Sequence, residues 1–357
     1  MRSYQIADWG QPLVYDERPT PTPKGKEVLM RVTAAGICHS DLHIQDGFFD
    51  LGEGQRVDFA KLGAELPLTL GHEIVGVVEA IGPDARGVSV GDARIAFPWI
   101  GCRTCTICRY EREQFCMTPK FLGARVNGGY SDHVIVPDPS YLVVYDGIPS
   151  ELACTYACAG LTAFSAIGKI GHLGEDDYLL MIGAGGVGLS GIHMAKELTS
   201  AKLIVADIDP DKRTMAKEAG AVEVIDNGDA DAVARLIDLT GGGVRAAIDF
   251  VGAVPTGKFG MSALRKGGRL IIVGLYGGAL PLSLPLMPVK SLTVQGSYVG
   301  TLEELQSLVA LGKTGKIPAI PLDLRPLDEA PKALDDLRAG HVKGRVILQP
   351  YTNLQRR

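Results

Sequence analysis

The chain has 357 residues, more than twice the roughly 150 residues of an average domain, so its length predicts about two domains. Hydrophobic residues make up 46% and charged residues 22%, a composition that is typical of folded globular proteins and excludes general disorder. The net charge of −5 argues against a protein that binds nucleic acid or an anionic membrane, because such proteins usually carry a basic surface.

The first part of the chain, to about residue 150, is predicted to be mostly β. It contains short β-like runs, such as EVLMRVTAAG and IVGVVEAIG, which are separated by glycine and proline. The N-terminal segment MRSYQIADWG includes Asp8 and lacks an apolar core, so it does not resemble a signal peptide. We therefore expect a cytoplasmic protein.

Two segments of this part carry groups that could bind a catalytic metal. The first, GICHSDLH, places a thiol, a hydroxyl, a carboxylate and imidazoles within six residues, namely Cys38, His39, Ser40, Asp41 and His43. The second, Gly71-His72-Glu73, precedes a strand-like run. A catalytic zinc needs three protein ligands and an open fourth position. Taken alone, each of these residues is more often structural, and only their combination with a nucleotide motif favours a catalytic site.

A second metal site is predicted from four clustered cysteines. Cys102, Cys105, Cys108 and Cys116 follow the pattern C-x2-C-x2-C-x7-C, and four such thiolates can converge on one tetrahedral structural zinc. A ferredoxin-type iron–sulfur run also begins in this way but continues x3-C-P, whereas here Met117 follows the fourth cysteine. The seven cysteines of the chain are an odd number, which argues against a disulfide framework.

From about residue 160, apolar strands alternate with amphipathic stretches, beginning with YLLMIGAG and VGLSGIHMAKEL. This repeating βα pattern predicts a parallel sheet covered by helices. After about residue 295 we predict one helix over 301–311 and an edge strand, KGRVILQP, that rejoins the first part of the chain.

A dinucleotide-binding motif opens the second part. Gly183, Gly185 and Gly188 form a GxGxxG motif between an apolar strand and an amphipathic helix, where they allow a tight turn, a close approach to pyrophosphate and helix packing. Asp207 follows Gly188 by 19 residues, at the end of the next predicted strand. Its carboxylate would bind the ribose hydroxyls of NAD and repel the extra phosphate of NADP. Two nearby cations, Lys212 and Arg213, weaken this preference.

Taken in chain order, GICHSDLH, GHEIVGVVEAIG, the cysteine cluster, CAGLTAF and GAGGVG resemble the zinc-dependent alcohol dehydrogenases of the medium-chain dehydrogenase/reductase superfamily. The likeness extends over essentially the whole chain, and the segment between His43 and His72 is similar to that of microbial tetrameric members. It implies an α/β architecture: a GroES-like, mostly-β catalytic domain over 1–155 and 296–357, and a doubly wound Rossmann NAD-binding domain over 156–295.

The resemblance also implies the metal ligands. Cys38, His72 and Cys158 would hold the catalytic zinc, and the four clustered cysteines a structural zinc, giving two zinc ions per chain. Cys158 is favoured because the family's third ligand precedes an Ala-Gly-x-Thr segment, which is 159–162 in this chain. Cys154, four residues earlier, stays an alternative ligand.

The roles of further residues follow from the same family pattern. Glu73 would approach the metal, Asp41 would orient His72, and Ser40 and His43 would pass the substrate proton to solvent. The coenzyme is expected to contact Gly183, Gly185, Gly186, Val187, Gly188, Asp207, Lys212, Thr162, Val273, Gly274, Leu275 and Arg345, the last at the pyrophosphate. Trp99, Phe49 and Tyr298 are expected to line the substrate pocket.

The implied activity is hydride transfer between a primary or secondary alcohol and NAD, which gives an aldehyde or ketone and NADH. The aromatic pocket candidates favour aliphatic, cyclic or aromatic alcohols, and the family likeness implies a homo-oligomer, expected to be a tetramer. Two alternatives stay open. One is a zinc-dependent polyol or amino-alcohol dehydrogenase, which often uses a glutamate ligand, and the other is a non-catalytic NAD-binding redox sensor, which would have no use for a proton path.

Overall fold

The computed structural model describes residues 1–110 and 112–351, and these divide into two compact units. The first unit comprises Met1–Phe48, Val57–Leu161 and the described chain from Gly300 onward. The second comprises Phe49–Arg56 and Thr162–Val299. Within the described residues, no helix is both long and apolar enough to cross a membrane.

In sequence order, the strands of the described chain are β1 (Arg2–Ile6), β2 (Val14–Glu17), β3 (Val28–Gly36), β4 (Phe48–Gly52), β5 (Gln55–Asp58), β6 (Leu68–Thr69), β7 (Glu73–Ile81), β8 (Ala93–Ala96), β9 (His133–Val136), β10 (Leu142–Val143), β11 (Tyr178–Ile182), β12 (Lys202–Ala206), β13 (Glu223–Ile225), β14 (Val244–Asp249), β15 (Leu264–Ile272), β16 (Thr293–Gly296), β17 (Leu322–Pro326) and β18 (Arg345–Gln349).

The α-helices of the same residues are α1 (His39–Asp46), α2 (Thr106–Arg109), α3 (Ser150–Thr155), α4 (Leu161–Gly168), α5 (Gly186–Leu198), α6 (Pro210–Glu218), α7 (Ala232–Thr240), α8 (Val254–Ala263), α9 (Leu286–Lys290), α10 (Leu302–Gly312) and α11 (Ala330–Arg338). A π-helical turn, Tyr156–Gly160, joins α3 to α4. The helix predicted over 301–311 is α10, and a reciprocal capping pair of Thr301 and Glu304 sets its first turn.

The first unit is built around a seven-stranded sheet in the order β10-β8-β7-β3-β18-β17, with β9 also paired to β3. Strands β3 and β7 run antiparallel over their whole length, from Val28↔Ile81 to Gly36↔Glu73. The C-terminal strand β18 rejoins this sheet as predicted, but it is not an edge strand. It pairs with β3 on one side and, in parallel, with β17 on the other. The prediction of an edge strand was wrong because the short segment LDLRP of β17, which mixes apolar and charged residues, was not predicted to be a strand.

The second unit contains a parallel sheet in the order β13-β12-β11-β14-β15-β16. Its central strands are fully buried, as in Leu179–Ile182 of β11, which matches their continuous apolar sequence. The order changes direction on either side of β11, so the adjacent carboxyl ends of β11 and β14 form the switch point where such sheets bind ligands.

A group of charged side chains links β1, β7 and β9 in the first unit. His133 lies between two carboxylates, with Nδ1 2.8 Å from Asp132 Oδ1 and Nε2 3.2 Å from Glu79 Oε1. Arg2 Nε donates to Asp132 Oδ2 at 3.2 Å. The hydrogen bond with Asp132 raises the pKa of His133, against the opposing effect of partial burial.

This arrangement predicts that His133 stabilises the fold in acid more than in base. Because its folded-state pKa is raised, its contribution is fully present below the unfolded pKa and is lost as the pH rises through the folded pKa. We expect His133→Gln to cost about 0.5–1 kcal/mol at pH 6 and much less at pH 9, measured by thermal unfolding. His341→Gln, at an exposed histidine, is the control, and an equal destabilisation by His133→Gln at both pH values would contradict the prediction.

Candidate active site and metal centres

Three predicted metal ligands meet in the interior of the first unit. Cys38 Sγ, a ring nitrogen of His72 and Cys158 Sγ lie within 4.8 Å of one another. The three residues are between 1% and 6% exposed. Cys38 is the N-cap of α1, and His72 directly precedes β7. Three separate segments therefore bring their ligands to one point.

The π-helical turn separates the two cysteines, Cys154 and Cys158, that could supply the third ligand of this cluster. Cys158 lies within the turn and faces Cys38 and His72. Cys154 is also fully buried, but its Sγ donates to the Glu151 carbonyl at 3.3 Å. Residues four apart share one face of a regular α-helix, yet here the π turn begins between them and the two thiols have different partners.

The chemistry of the three side chains fits zinc. His72 Nδ1 faces Asp41, and Nε2 is buried without a hydrogen bond of ordinary geometry to any described residue. The pKa of the Cys38 thiol is held well below its usual range by the hydrogen bond from Cys158 and by His72, although burial opposes the shift. Two sulfurs and an imidazole nitrogen form a ligand set that zinc prefers, so an ion at this point would satisfy the orphaned nitrogen.

Asp41 links two of the ligands. Its Oδ1 lies 3.2 Å from His72 Nδ1, and its Oδ2 accepts from the Cys38 amide at 2.9 Å and from the Tyr130 hydroxyl at 2.6 Å. Carboxylates of this kind fix the orientation of metal-binding histidines. Tyr130 was not predicted from the sequence, because it belongs to no motif. Its ring packs over Gly71, where a Cβ would come within 2.4 Å of Tyr130.

Glu73 is fully buried beside the cluster. Its Oε1 accepts from the Ala159 amide at 2.9 Å, and its Oε2 pairs with the Arg345 guanidinium. Burial raises the pKa of Glu73 to about 7, although the charge of Arg345 opposes this. Gly36 provides the space for this carboxylate, because a Cβ there would lie 2.0 Å from Glu73 Oε2.

Arg345 has a buried partner that the family pattern did not predict. The family pattern predicted a contact with the coenzyme pyrophosphate, but Arg345 is only 5% exposed and is engaged by Glu73. An unpaired buried carboxylate would be costly, so balancing Glu73 is the role that this geometry supports. The pyrophosphate contact stays a prediction.

Trp99 packs directly against the cluster. Its ring centroid lies 5.4 Å from that of His72 and 5.4 Å from that of Phe121, which it meets edge-on. Its Nε1 donates to the Ala157 carbonyl at 3.0 Å. The two other predicted pocket residues belong to the second unit, where Phe49 is half-buried and Tyr298 is 39% exposed.

Ser40 and His43 lie on α1, three residues apart and so on one face of the helix. Ser40 Oγ is 3.8 Å from Cys38 Sγ, and both Ser40 and His43 are partly exposed. Burial lowers the pKa of His43, so its imidazole is neutral at neutral pH and able to accept a proton.

The four clustered cysteines form a second metal-binding group. Their sulfurs lie within 4.8 Å of one another. Amide and hydroxyl groups donate to Cys102 Sγ, including Cys105 N at 3.3 Å and Thr104 Oγ1 at 3.4 Å. The hydrogen bond from Thr104 is the largest cause of a pKa of about 5 for the Cys102 thiol. Four converging sulfurs with a stabilised thiolate fit a structural zinc.

The glycine-rich loop lies between β11 and α5. Gly183 has a φ of 92°, a conformation that favours glycine. A Cβ on Gly188 would lie 1.8 Å from the Gly183 carbonyl oxygen, whereas one on Gly185 would meet no atom within 4 Å. The loop therefore turns tightly, packs its helix against the strand end and leaves open space at Gly185, with Gly186 and Val187 in the first helical turn.

Asp207 stands next to this loop, directly after β12. Its Oδ2 accepts from the Ala184 amide at 2.8 Å and its Oδ1 from the Asp209 amide at 2.9 Å. The carboxylate is thus tied to the glycine-rich loop itself. Lys212, on α6, lies with its Nζ 3.8 Å from Asp209 Oδ2.

The segment predicted to line the nicotinamide is held by Asp249, a residue that no sequence motif identified. The amides of Val273 and Gly274 donate to the Asp249 carbonyl at 2.9 and 3.1 Å. Leu275 is 40% exposed, whereas Thr162 is 8% exposed. The Thr162 hydroxyl has no hydrogen-bond partner among the described residues.

Comparisons with known proteins agree with this geometry. Two protein families match this chain. The family "Alcohol dehydrogenase GroES-like domain" matches residues 24–146, and the family "Zinc-binding dehydrogenase" matches residues 186–314. An NAD-dependent alcohol dehydrogenase of Sulfurisphaera tokodaii is 34% identical over 352 residues, covering 98% of this chain and 100% of the relative. Another, of Saccharolobus solfataricus, is 35% identical with the same coverage.

Solved structures of two dehydrogenases have a fold similar to that of this chain. The alcohol dehydrogenase of the hyperthermophilic archaeon Aeropyrum pernix has a TM-score of 0.89 and 32% identity, covering 98% of this chain and 100% of that one. The D-arabinose dehydrogenase of Sulfolobus solfataricus has a TM-score of 0.82 and 26% identity, covering 98% and 99%.

Proposed function

This chain belongs to the family of zinc-binding alcohol dehydrogenases with a GroES-like domain, and we propose that it transfers hydride between a primary or secondary alcohol and NAD. The observation that carries this proposal is the convergence of Cys38, His72 and Cys158 in one buried cluster. In the same chain, a glycine-rich loop is tied to Asp207.

The chemistry is divided between the protein and two bound groups. Zinc held by Cys38, His72 and Cys158 would supply Lewis acidity that lowers the pKa of an alcohol hydroxyl, and bound NAD would accept the hydride. Asp41 holds the His72 ring in place and fixes the start of α1 through the Cys38 amide. The four clustered cysteines would bind a second, structural zinc, giving two ions per chain.

Proton release is assigned to α1. Ser40 would hydrogen-bond the substrate hydroxyl, and the partly exposed His43 would accept its proton on the way to solvent. The lowered pKa of His43 supports this assignment, because a general base must be neutral at the working pH.

A substitution of His43 tests this path. His43→Ala should lower kcat for alcohol oxidation by about tenfold or less, because water can partly replace a proton acceptor at the edge of the protein. The measurement is kcat as a function of pH, with and without added imidazole. His341→Ala, at an exposed histidine outside this helix, is the control, and a loss of a thousandfold or no loss at all in His43→Ala would contradict the role.

The substrates proposed are aliphatic, cyclic or aromatic alcohols. The apolar contact between Trp99, Phe121 and His72 supports this choice, because a site beside these rings offers little hydrogen bonding to a polyol. A polyol or sugar substrate is the second candidate, and it is favoured by the likeness to a D-arabinose dehydrogenase.

The test is NADH formation from NAD with a panel of alcohols, polyols and sugars, before and after metal removal and zinc addition. We expect activity with simple alcohols, its loss when the metal is stripped, and its return with zinc. A higher kcat/KM for polyols or sugars would replace the first candidate by the second. No turnover in either direction, despite two bound zinc ions per chain, would contradict both and favour an NAD-binding sensor.

We further propose a cytoplasmic homo-oligomer, a tetramer in which pairs of chains meet at β16. This strand pairs with β15 on one side, and the segment between β15 and β16 has exposed large apolar side chains, including Tyr276 (73%), Leu284 (78%) and Val289 (68%). Exposed edges and apolar patches are usually covered in proteins. Light scattering should show a mass of several chains for the wild type and a smaller one for Leu284→Asp, and a monomeric wild type would contradict this.

A further inference from the structure

Two carboxylates stand side by side at the coenzyme end of the second unit. Strands β12 and β13 are parallel neighbours, with Ala206 opposite Ile225. Asp207 and Asp226 each come directly after these residues, and the Asp207 amide donates to the Ile225 carbonyl at 3.1 Å. Asp226 was not a predicted site residue, since only the tertiary pairing of the strands brings it next to Asp207.

A guanidinium from α6 lies between these two strand ends. Arg213 donates from one terminal nitrogen to the Asp207 backbone carbonyl at 2.7 Å and to Asp226 Oδ2 at 2.8 Å. Asp226 is itself held, because its Oδ1 accepts from the Gly228 amide at 2.9 Å. The Arg213 and Asp226 side chains are 21% and 28% exposed, so the pair is partly shielded from solvent.

NAD and NADP differ only in a phosphate on the adenosine ribose. Asp207 is proposed to bind the hydroxyls of this same ribose. An arginine near this ribose is the usual means of accommodating that phosphate, since its planar fork matches phosphate oxygens. Arg213 has the right charge and lies beside Asp207, but its guanidinium already has a carboxylate partner.

We propose that Asp226 is a second coenzyme-specificity residue, which disfavours NADP by holding Arg213 in an ion pair. The inference rests on the proposed use of Asp207 as the ribose-binding carboxylate. Asp207 excludes the extra phosphate by direct repulsion, whereas Asp226 acts by occupying the Arg213 guanidinium beside Asp207. Replacing Asp207 alone therefore leaves Arg213 neutralised, and the full gain in NADP binding needs both changes.

The test is fluorescence titration of the full chain with NADPH and with NADH, which needs no alcohol substrate. Asp207→Ser should tighten NADPH binding, and Asp207→Ser/Asp226→Asn should tighten it by a further factor of about ten. Adding Arg213→Leu to the double variant should remove that second factor. Asp229→Asn, which breaks the exposed pair with Arg235, is the matched control in the Asp207→Ser background and should give no second factor. Thermal unfolding of each variant confirms that it is folded.

Three results would overturn the inference. In the Asp207→Ser background, NADPH affinity could be the same with and without Asp226→Asn. The gain in NADPH affinity could also persist after Arg213→Leu, which would assign that gain to the loss of negative charge alone. The Asp229→Asn control could also give an equal gain. These outcomes leave NADH binding by the wild type intact, whereas a wild type that bound neither coenzyme would overturn the proposed function together with this inference.

Discussion

Cys158→Ser should reduce kcat/KM for alcohol oxidation by at least about a thousandfold, while Cys154→Ser should leave it close to that of the wild type. Both thiols are buried and lie four residues apart, but only Cys158 faces Cys38 and His72. A serine at 158 would replace a soft thiolate by a poor zinc ligand. At 154 a serine hydroxyl could still donate to the Glu151 carbonyl, as the thiol does.

The readouts separate loss of the metal from loss of the fold. Cys158→Ser should contain one zinc fewer per chain and should still bind NADH, because the glycine-rich loop and Asp207 belong to the second unit. Cys154→Ser should keep the zinc content of the wild type. If Cys154→Ser lost the metal and Cys158→Ser kept it, the ligand assignment would be reversed, and full activity in both variants would eliminate this cluster as the active site.

A second large effect is expected in the four-cysteine cluster, where Cys105→Ser should remove the structural zinc and lower the Tm by about 10 °C or more. The segment 102–116 has little regular structure among its described residues, which include the four-residue helix α2 and a three-residue 3-10 turn. Its sulfurs converge on one point, so a metal there would replace the hydrophobic core that so short a segment lacks.

Thr104→Val is the matched control for this experiment. It removes a hydroxyl that donates to Cys102 Sγ but no ligand, so it should keep both zinc ions and lower the Tm by only a few degrees. Metal analysis and thermal unfolding of the two variants give the comparison. Iron in place of zinc, or an unchanged Tm in Cys105→Ser, would contradict the assignment of a structural zinc.

Interactions between residues close in the chain were predictable from the sequence. The glycine-rich loop is one example, since the turn at Gly183, the open space at Gly185 and the close contact at Gly188 depend on a strand followed by a helix. The helix predicted over 301–311 is another, and the structure closes its first turn with the capping pair of Thr301 and Glu304. Short spacings limit the possible conformations so strongly that residue type and order are sufficient.

The three-ligand cluster was predictable only through a family resemblance, and the choice between Cys154 and Cys158 stayed open. Both lie in one apolar segment, and nothing in its spacing predicts the π turn at Tyr156–Gly160. Such turns are rare and occur mostly as single turns within α-helices, frequently at functional sites. Only the folded chain shows which thiol faces His72.

The sequence by itself determined the alternation of strands and helices in the second part, the nucleotide loop and the four-cysteine cluster, because each of these patterns is carried by residues close together in the chain. The tertiary structure alone decided the side-chain pairs that join separate elements: Tyr130 with Asp41, Arg345 with Glu73, and Arg213 of α6 with Asp226 at the end of β13. These contacts need sheets and helices to be packed first. Buried charges and hydroxyls then take whichever partner the packing provides, because leaving them unpaired costs more than any local preference.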